Sequence, residues 1–399
     1  MNTFTSSLTE WVTTLSINKV IMMIMMIFMI VGAIDKIRGN KLGYGEKFEE
    51  GFNAIGPLAL SMAGVVAAAP VLAEVLGPII KPIYNFFGAD SSMFATTLLA
   101  CDMGGYPLAM QLAGDEAIGK FAGLILGTMM GPTIVFTIPV ALGIIDKKDR
   151  GYLGAGVLAG MITIPIGCIV GGLCMTAMTS YKLSIGRIVQ NLIPVIIIAA
   201  LIVIGLWFHP GRMIRGFNRF GIGVTVVITA LTAIAVFEQI TGIMFPLFDQ
   251  MATKDATTGL SPLDSGLLTC GQIGIVLIGA FPMVEWITRT FGGGLKKLGH
   301  LLGINETASA GMVANLANNI AMFNIFGGMD PKGKLLNVAF AVSAAFVFGD
   351  HLGFTAGVDQ TMVTPVIIGK LVAGITALIV ANILSPKLLQ KVNATSTEK

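Results

Sequence analysis

The chain has 399 residues, 54% of them hydrophobic and only 12% charged, with 25 Lys and Arg against 22 Asp and Glu and a formal net charge of +3. Its mean hydropathy is +0.83 and its sequence pI about 8.6; soluble domains carry about 25% charged residues, so this is the composition of a polytopic membrane protein. The charge excess is too mild for a nucleic-acid partner, and the basic residues are scattered through short loops, where they report orientation.

The first apolar run, VIMMIMMIFMIVGAI, leads into Asp35-Lys36 without a small-residue cleavage site, so it reads as a spanning helix rather than a signal peptide. Its methionines read as packing or lipid-facing residues. Counting that run (17–33), nine stretches reach the roughly 20 residues needed to cross; the others are 53–73, 121–145, 152–177, 188–208, 219–247, 266–288, 335–357 and 364–385. Two more, 91–113 and 306–328, are apolar but interrupted, by Asp102-Met103-Gly104-Gly105 in the first and by Asn315, Asn318-Asn319 and Asn324 in the second.

Lysine and arginine accumulate on the cytoplasmic side, and this separates two topologies. If all eleven stretches cross from an outside N-terminus, 13 basic residues fall inside and 12 outside, which is no bias. If 91–113 and 306–328 enter and return, the division is 18 to 7, with Lys296, Lys297 and Lys399 among the inside residues. The expected fold is therefore all-α, with nine transmembrane helices plus two re-entrant segments, or eleven helices if those segments span.

The chain also resembles itself. At an offset of 215, Gly56, Gly64, Gly77, Lys81 and Gly88 meet Gly271, Gly279, Gly292, Lys296 and Gly303. At 214, Gly114, Gly119, Lys120 and Gly143 meet Gly328, Gly333, Lys334 and Gly357. The division this suggests is 1–51, an N-terminal helix and cytoplasmic loop; 52–178, a first repeat; 179–265, linking helices; 266–385, a second repeat; and 386–399, a cytoplasmic tail. In the nine-span topology the repeats run oppositely, the inverted-repeat arrangement of secondary transporters, whose sites lie on discontinuous segments near the midplane.

Each interrupted segment opens on a helix-start signal, Asp90-Ser91-Ser92 or Asn305-Glu306-Thr307. About a dozen helical residues, roughly 18 Å, then carry the chain halfway through the bilayer. In CDMGGYP, Gly104-Gly105 and Pro107 break the helix beside Asp102, and the glycines let backbone approach a ligand. A carboxylate at membrane depth reads first as functional, with a structural ion pair or cap as the alternative. Asp350, next to His351 in FVFGDHLGF, is a second candidate, and Glu238 in AVFEQITG a third. Since neighbours on a helix point about 100° apart, at most one of Asp350 and His351 is expected to face a site. Glu285 beside Trp286 reads as interfacial. Asn315, Asn318 and Asn319 have the spacing of one helix face; Asn318 and Asn319 are candidate acceptors for a bound donor, with interhelical hydrogen bonding as the competing role.

Carboxylates, amide oxygens and rings such as Tyr106 suit a small cation with hydrogen-bond donors. No basic residue is expected deep in the spans, which argues against anionic substrates. Cys101, Cys168, Cys174 and Cys270 lie in apolar stretches with no C-x-x-C pair, so neither a disulfide nor a metal site is expected.

Four long strings, GEKFEEGFNAIGPLALSMAG, SMFATTLLACDMGGYPLA, GLILGTMMGPTIVFTIPVALGII and GVLAGMITIPIGCIVGGL, closely resemble the bacterial ethanolamine-utilisation permeases, and the likeness covers nearly the whole chain. The resemblance implies a facilitator that imports ethanolamine across the bacterial inner membrane for catabolism. It implies no residue-level mechanism, no cofactor and no partner beyond ethanolamine and the lipid bilayer; homo-oligomerisation stays open. The alternatives are a proton- or sodium-coupled transporter of a related small amine, and a membrane enzyme acting on an amino-alcohol head group. The enzyme reading finds no H-E-x-x-H and no G-x-S-x-G. A membrane anchor or sensor is a third class, for which the loops are too short to hold a signalling domain.

Overall fold

The apolar runs fold as helices, which satisfy their own backbone groups without water, and among the described residues there is no strand. The structure is a computed structural model that describes residues 3–256 and 258–397, with the backbone alone at 291–293, 295–298, 300 and 395–397. Lys399 and the side chains of Lys296 and Lys297 lie outside the described set.

In chain order the helices are α1 (Thr3–Thr13), α2 (Ile17–Ile37), α3 (Tyr44–Asn53), α4 (Ile55–Phe86), α5 (Ser92–Leu98), α6 (Tyr106–Leu112), α7 (Glu116–Ile144), α8 (Arg150–Met161) and α9 (Ile164–Met178). There follow α10 (Ile185–Phe208), α11 (Pro210–Thr241), α12 (Pro262–Leu302), α13 (Glu306–Ala317), α14 (Asn319–Asn324), α15 (Pro331–Ala344), α16 (Asp350–Val358) and α17 (Val363–Thr397). Among the described residues, seven helical runs are long and apolar enough to cross a bilayer, and the α8–α9 pair, bent by 42°, makes an eighth.

The stretch 335–357, expected as one span, is instead two helices separated by irregular backbone at 345–349, where Phe346 adopts φ +63°. The break has a partner. Phe346 N–H donates to Asn315 O at 3.0 Å and Phe348 N–H to Leu316 O at 2.9 Å, so the interruption satisfies carbonyls that the end of α13 leaves open. Two further features concern the first and last segments. The segment expected as a cytoplasmic loop contains α3, which packs so closely on α12 that a Cβ on Gly51 would lie 2.6 Å from Ile278 Cα. The segment from 386 continues α17 as far as Thr397.

Small residues let the central helices touch, as membrane helix pairs require. A Cβ on Gly156 would stand 2.4 Å from Val338 Cβ, and one on Gly160 2.6 Å from Val342 Cβ, seating α8 against α15. Gly167 meets Ala373 in the same way, at 2.5 Å, seating α9 against α17. Large apolar side chains at four-residue spacing, Ile375, Ile379 and Ile383, remain exposed on the far side of α17, the stripe that a lipid-facing helix presents.

Segment 91–113 is a hairpin. α5 ends at Leu98, the backbone turns extended through Leu99 and Ala100, and α6 runs back. Its ends are tied together: Ser91 Oγ donates to Leu112 O at 2.8 Å and Gly114 N–H to Asp90 Oδ2 at 2.9 Å. Segment 306–328 is broken at Asn318, and its ends also meet, with Asn305 Nδ2 donating to Gly328 O at 2.9 Å and Asn305 N–H to Asp330 Oδ1 at 2.8 Å.

Candidate functional site

The two hairpin breaks and the 345–349 break converge on one cavity of about 500 Å³. Asp102 and Met103 enter it from the first hairpin, Asn318 from the second, and Asp350 and His351 from the start of α16. Phe136, Phe281 and Phe346 supply apolar wall, and Glu50 and Asn53 reach it from α3. A few polar groups in an apolar chamber is the arrangement of a small-molecule site.

The sequence candidates divide among several places. Asp102, Asn318 and Asp350 line the cavity together. His351 joins them, so both members of the Asp350-His351 pair reach the same chamber, whereas helical geometry had allowed one; they stand at the first turn of α16, directly after the break. Asn318 is the break itself, with φ −158° and ψ 128°, which removes the continuous helix face expected for Asn315, Asn318 and Asn319. Asn319 turns away, its Nδ2 donating to Thr137 Oγ1 at 2.8 Å, and Asn315 Nδ2 donates to Asn337 O at 3.2 Å.

Gly104 and Gly105 shape the tip from behind. Gly104 has φ +85°, a left-handed conformation that glycine adopts without steric cost, and a Cβ there would lie 2.0 Å from Val65 Cγ1 on α4. At Gly105 it would lie 2.6 Å from the carbonyl oxygens of Leu99 and Ala100. Tyr106 also stands away from the cavity wall, with its hydroxyl accepting from Lys120 Nζ at 3.1 Å and its ring edge-on to Phe354 at 5.7 Å. Glu238 is fully buried on α11, where its Oε1 accepts from Phe245 N–H at 2.7 Å and fixes the loop after that helix. Glu285 pairs with Arg289 at 2.7 Å on the surface of α12.

The expectation that no cation lies deep in the spans is overturned. Lys370 on α17 is 1% exposed, with its Nζ donating to Thr128 O at 2.5 Å and standing 3.0 Å from His351 Nδ1. A lone lysine in VIIGKLVAGITALIV was the available signal, masked by the hydropathy of its neighbours. Lys120 and Lys334, which stand 214 positions apart, are also buried: Lys120 pairs with Asp359 at 3.0 Å and Lys334 with Asp149 at 2.7 Å.

The four cysteines are free. Ligand atoms of Cys101, Asp102 and His351 lie within 4.8 Å of one another, close enough to share a metal ion. A metal there would face the Lys370 ammonium held at the same imidazole, so this donor set fits a resident cation poorly.

The fold and this chamber define a multi-pass helical membrane protein with an acidic cavity at the meeting of its broken helices. A family model described as Ethanolamine utilisation protein, EutH, matches residues 17–384. The probable ethanolamine permease EutH of Listeria monocytogenes is 54% identical over 377 residues, 94% of this chain and 96% of that protein. The probable ethanolamine permease EutH of Escherichia coli K12 is 49% identical over 413 residues, 96% of this chain and 99% of that one. Uncharacterized protein YxeR of Bacillus subtilis is 47% identical over 373 residues, covering 93% and 96%. No solved structure matches. The chain belongs to the EutH family of ethanolamine utilisation proteins.

Proposed function

We propose that this protein is a transporter, not an enzyme, that carries ethanolamine as its ammonium cation across the bacterial cytoplasmic membrane. The observation that carries this reading is the pair of carboxylates, Asp102 and Asp350, presented by two helix breaks into one largely apolar chamber. A desolvated carboxylate attracts an ammonium strongly, aromatic walls add cation–π attraction, and Asn318 offers polar contact to a hydroxyl. The relatives named as probable ethanolamine permeases point to the same substrate.

We further read the two hairpins as re-entrant and residues 52–178 and 266–385 as inverted repeats. The tied hairpin ends support this, as do the contacts Lys120–Asp359 and Lys334–Asp149, each joining a lysine of one repeat to a carboxylate of the other half. The topology is tested with single cysteines at Asn85 and Glu116, both exposed, in a background lacking the native ones. Both should react with an impermeant reagent from outside, and labelling from opposite sides would sink it.

The function is tested by uptake of labelled ethanolamine into liposomes containing only this protein. Replacing Asp102 with asparagine keeps the shape and removes the charge, with an expected loss of roughly 1.5–3 kcal/mol in ethanolamine binding, about tenfold to a hundredfold in affinity. Unchanged affinity in a folded variant would move the ammonium elsewhere.

A further inference from the structure

Lys370 differs from the other buried lysines in having neutral partners. Lys120 and Lys334 each touch a carboxylate. Around Lys370 the contacts are a carbonyl, Thr128 O, and an imidazole nitrogen, His351 Nδ1; among the described residues no carboxylate lies within 4.0 Å of its Nζ. An ammonium that donates to Nδ1 leaves the ring proton of His351 on Nε2. That ring lines the cavity and comes within 4.8 Å of the Asp102 carboxylate and the Cys101 thiol.

The remaining charges around this group are few. Asp350 stands beside His351 on the cavity wall, and Glu50 across the chamber is already answered by Lys47 at 2.6 Å. The helices packed against α17 carry as titratable groups Arg150 and Tyr152 on α8, Cys168 and Cys174 on α9, Lys332 and Lys334 on α15, Glu116 and Lys120 on α7, Asp350 and His351 on α16, and Lys19, Asp35 and Lys36 on α2, and no lysine or arginine among these lines the cavity. A substrate ammonium at Asp102 and Asp350 would therefore share its carboxylates with one protein cation, Lys370. Two like charges in a poorly solvated chamber repel strongly. Lysine can relieve that repulsion by giving up a proton, which arginine cannot do, and an imidazole already sits at its nitrogen to receive one.

We propose that Lys370 and His351 form a proton site coupled to the substrate site, exchanging one proton for each ammonium bound. The Lys370 Nζ proton passes to His351 Nδ1 and the Nε2 proton of His351 leaves into cavity water, so the lysine ends neutral and the imidazole returns to a neutral form. The proposal rests on the cavity being the ammonium site. Its consequence is that each substrate cation leaves the total charge of the chamber unchanged, and the exchange of ammonium for proton moves no net charge across the membrane.

The test is to titrate the purified full-length protein with ethanolamine hydrochloride in weakly buffered detergent at about pH 7.5, where an alkylammonium is still protonated. Binding is followed by calorimetry and proton release by an indicator dye. Wild type should release close to one proton per ammonium bound. Lys370→Met should bind with no release, and Lys370→Arg, with a fixed charge, should lose about tenfold or more in affinity. Wild-type binding without release overturns the proposal without any variant, as does release by Lys370→Met at the wild-type level. A folded wild type that does not bind ethanolamine removes the cavity reading, and this proposal with it. In liposomes, uptake should not respond to an imposed membrane potential, and uptake that rises with a negative interior would overturn the exchange.

Discussion

The two buried lysine–aspartate contacts invite comparison, because the chain uses one residue type at matched positions and completes it differently. Lys120 meets Asp359, and both side chains are 9% exposed. Around them Tyr181 donates its hydroxyl to Asp359 Oδ2 at 2.7 Å, Thr361 donates its hydroxyl to Oδ1 at 2.6 Å, and the Tyr106 hydroxyl accepts from the lysine. Lys334 meets Asp149 Oδ1, with the rings of Tyr152 and Phe326 at 5.6 and 5.8 Å, while Asp149 Oδ2 has no hydrogen-bond partner in the structure. One contact is a saturated polar network and the other a single pair under aromatic cover. A buried pair stabilises only when its remaining donors and acceptors are satisfied, so the matched lysines should not contribute equally to holding the halves together.

The largest expected effect is at Asp359. Asp359→Asn leaves a buried lysine without its counter-charge, and the loss should be about 3–5 kcal/mol, the usual cost of removing one partner of a buried pair. It should appear as a clear fall in the detergent melting temperature. Burial works to raise the Asp359 carboxyl, but hydrogen bonds from Thr361, Tyr181 and Lys120, with the lysine charge, outweigh it and hold the group below the usual carboxylate range. The sign follows from that depression. The contribution is fully present above the unfolded carboxyl value of about 3.9 and is lost as pH falls through the lower folded value. Melting curves of wild type and Asp359→Asn should therefore converge only below about pH 4; convergence at pH 5 to 6 would contradict the saturated network.

Asp149→Asn should cost less, about 1–3 kcal/mol, because the carboxylate already leaves one oxygen unpaired. A loss equal to that of Asp359→Asn would abolish the distinction between the contacts. The smallest effect isolates one bond of the network. Tyr181→Phe removes the donor to Asp359 and should lower stability by about 1 kcal/mol, with no change in ethanolamine affinity, since Tyr181 is not among the residues lining the cavity.

Much of this was legible in advance at the level of class. Most of the expected apolar stretches correspond to helix, with 335–357 broken and 219–247 helical only to Thr241, the start at Glu306 follows its capping signal, and the family resemblance agrees with the family match over residues 17–384. Asp102 and Asp350 were singled out because a carboxylate inside an apolar run is costly wherever it sits. The breaks at Leu99 and at 345–349 were harder. The first has its glycines several residues downstream, and the second falls in AAFVFG, which reads as continuous helix until its backbone is seen bonding to Asn315 and Leu316.

Properties that depend on local sums can be read along the chain: hydropathy decides that it belongs in a bilayer, helical backbone follows from the absence of water there, and caps set several of the helix starts. Which charges meet is settled by how the helices pack. Asp102 and Asp350 are 248 positions apart (350 − 102), Lys370 stands 242 residues from Thr128, and Lys334 lies 185 residues from Asp149. Whether a buried charge faces a cavity, a carboxylate or an imidazole depends on which helices pack side by side. No window along the chain contains that information, because the interaction energy belongs to the pair and is set by distance and burial.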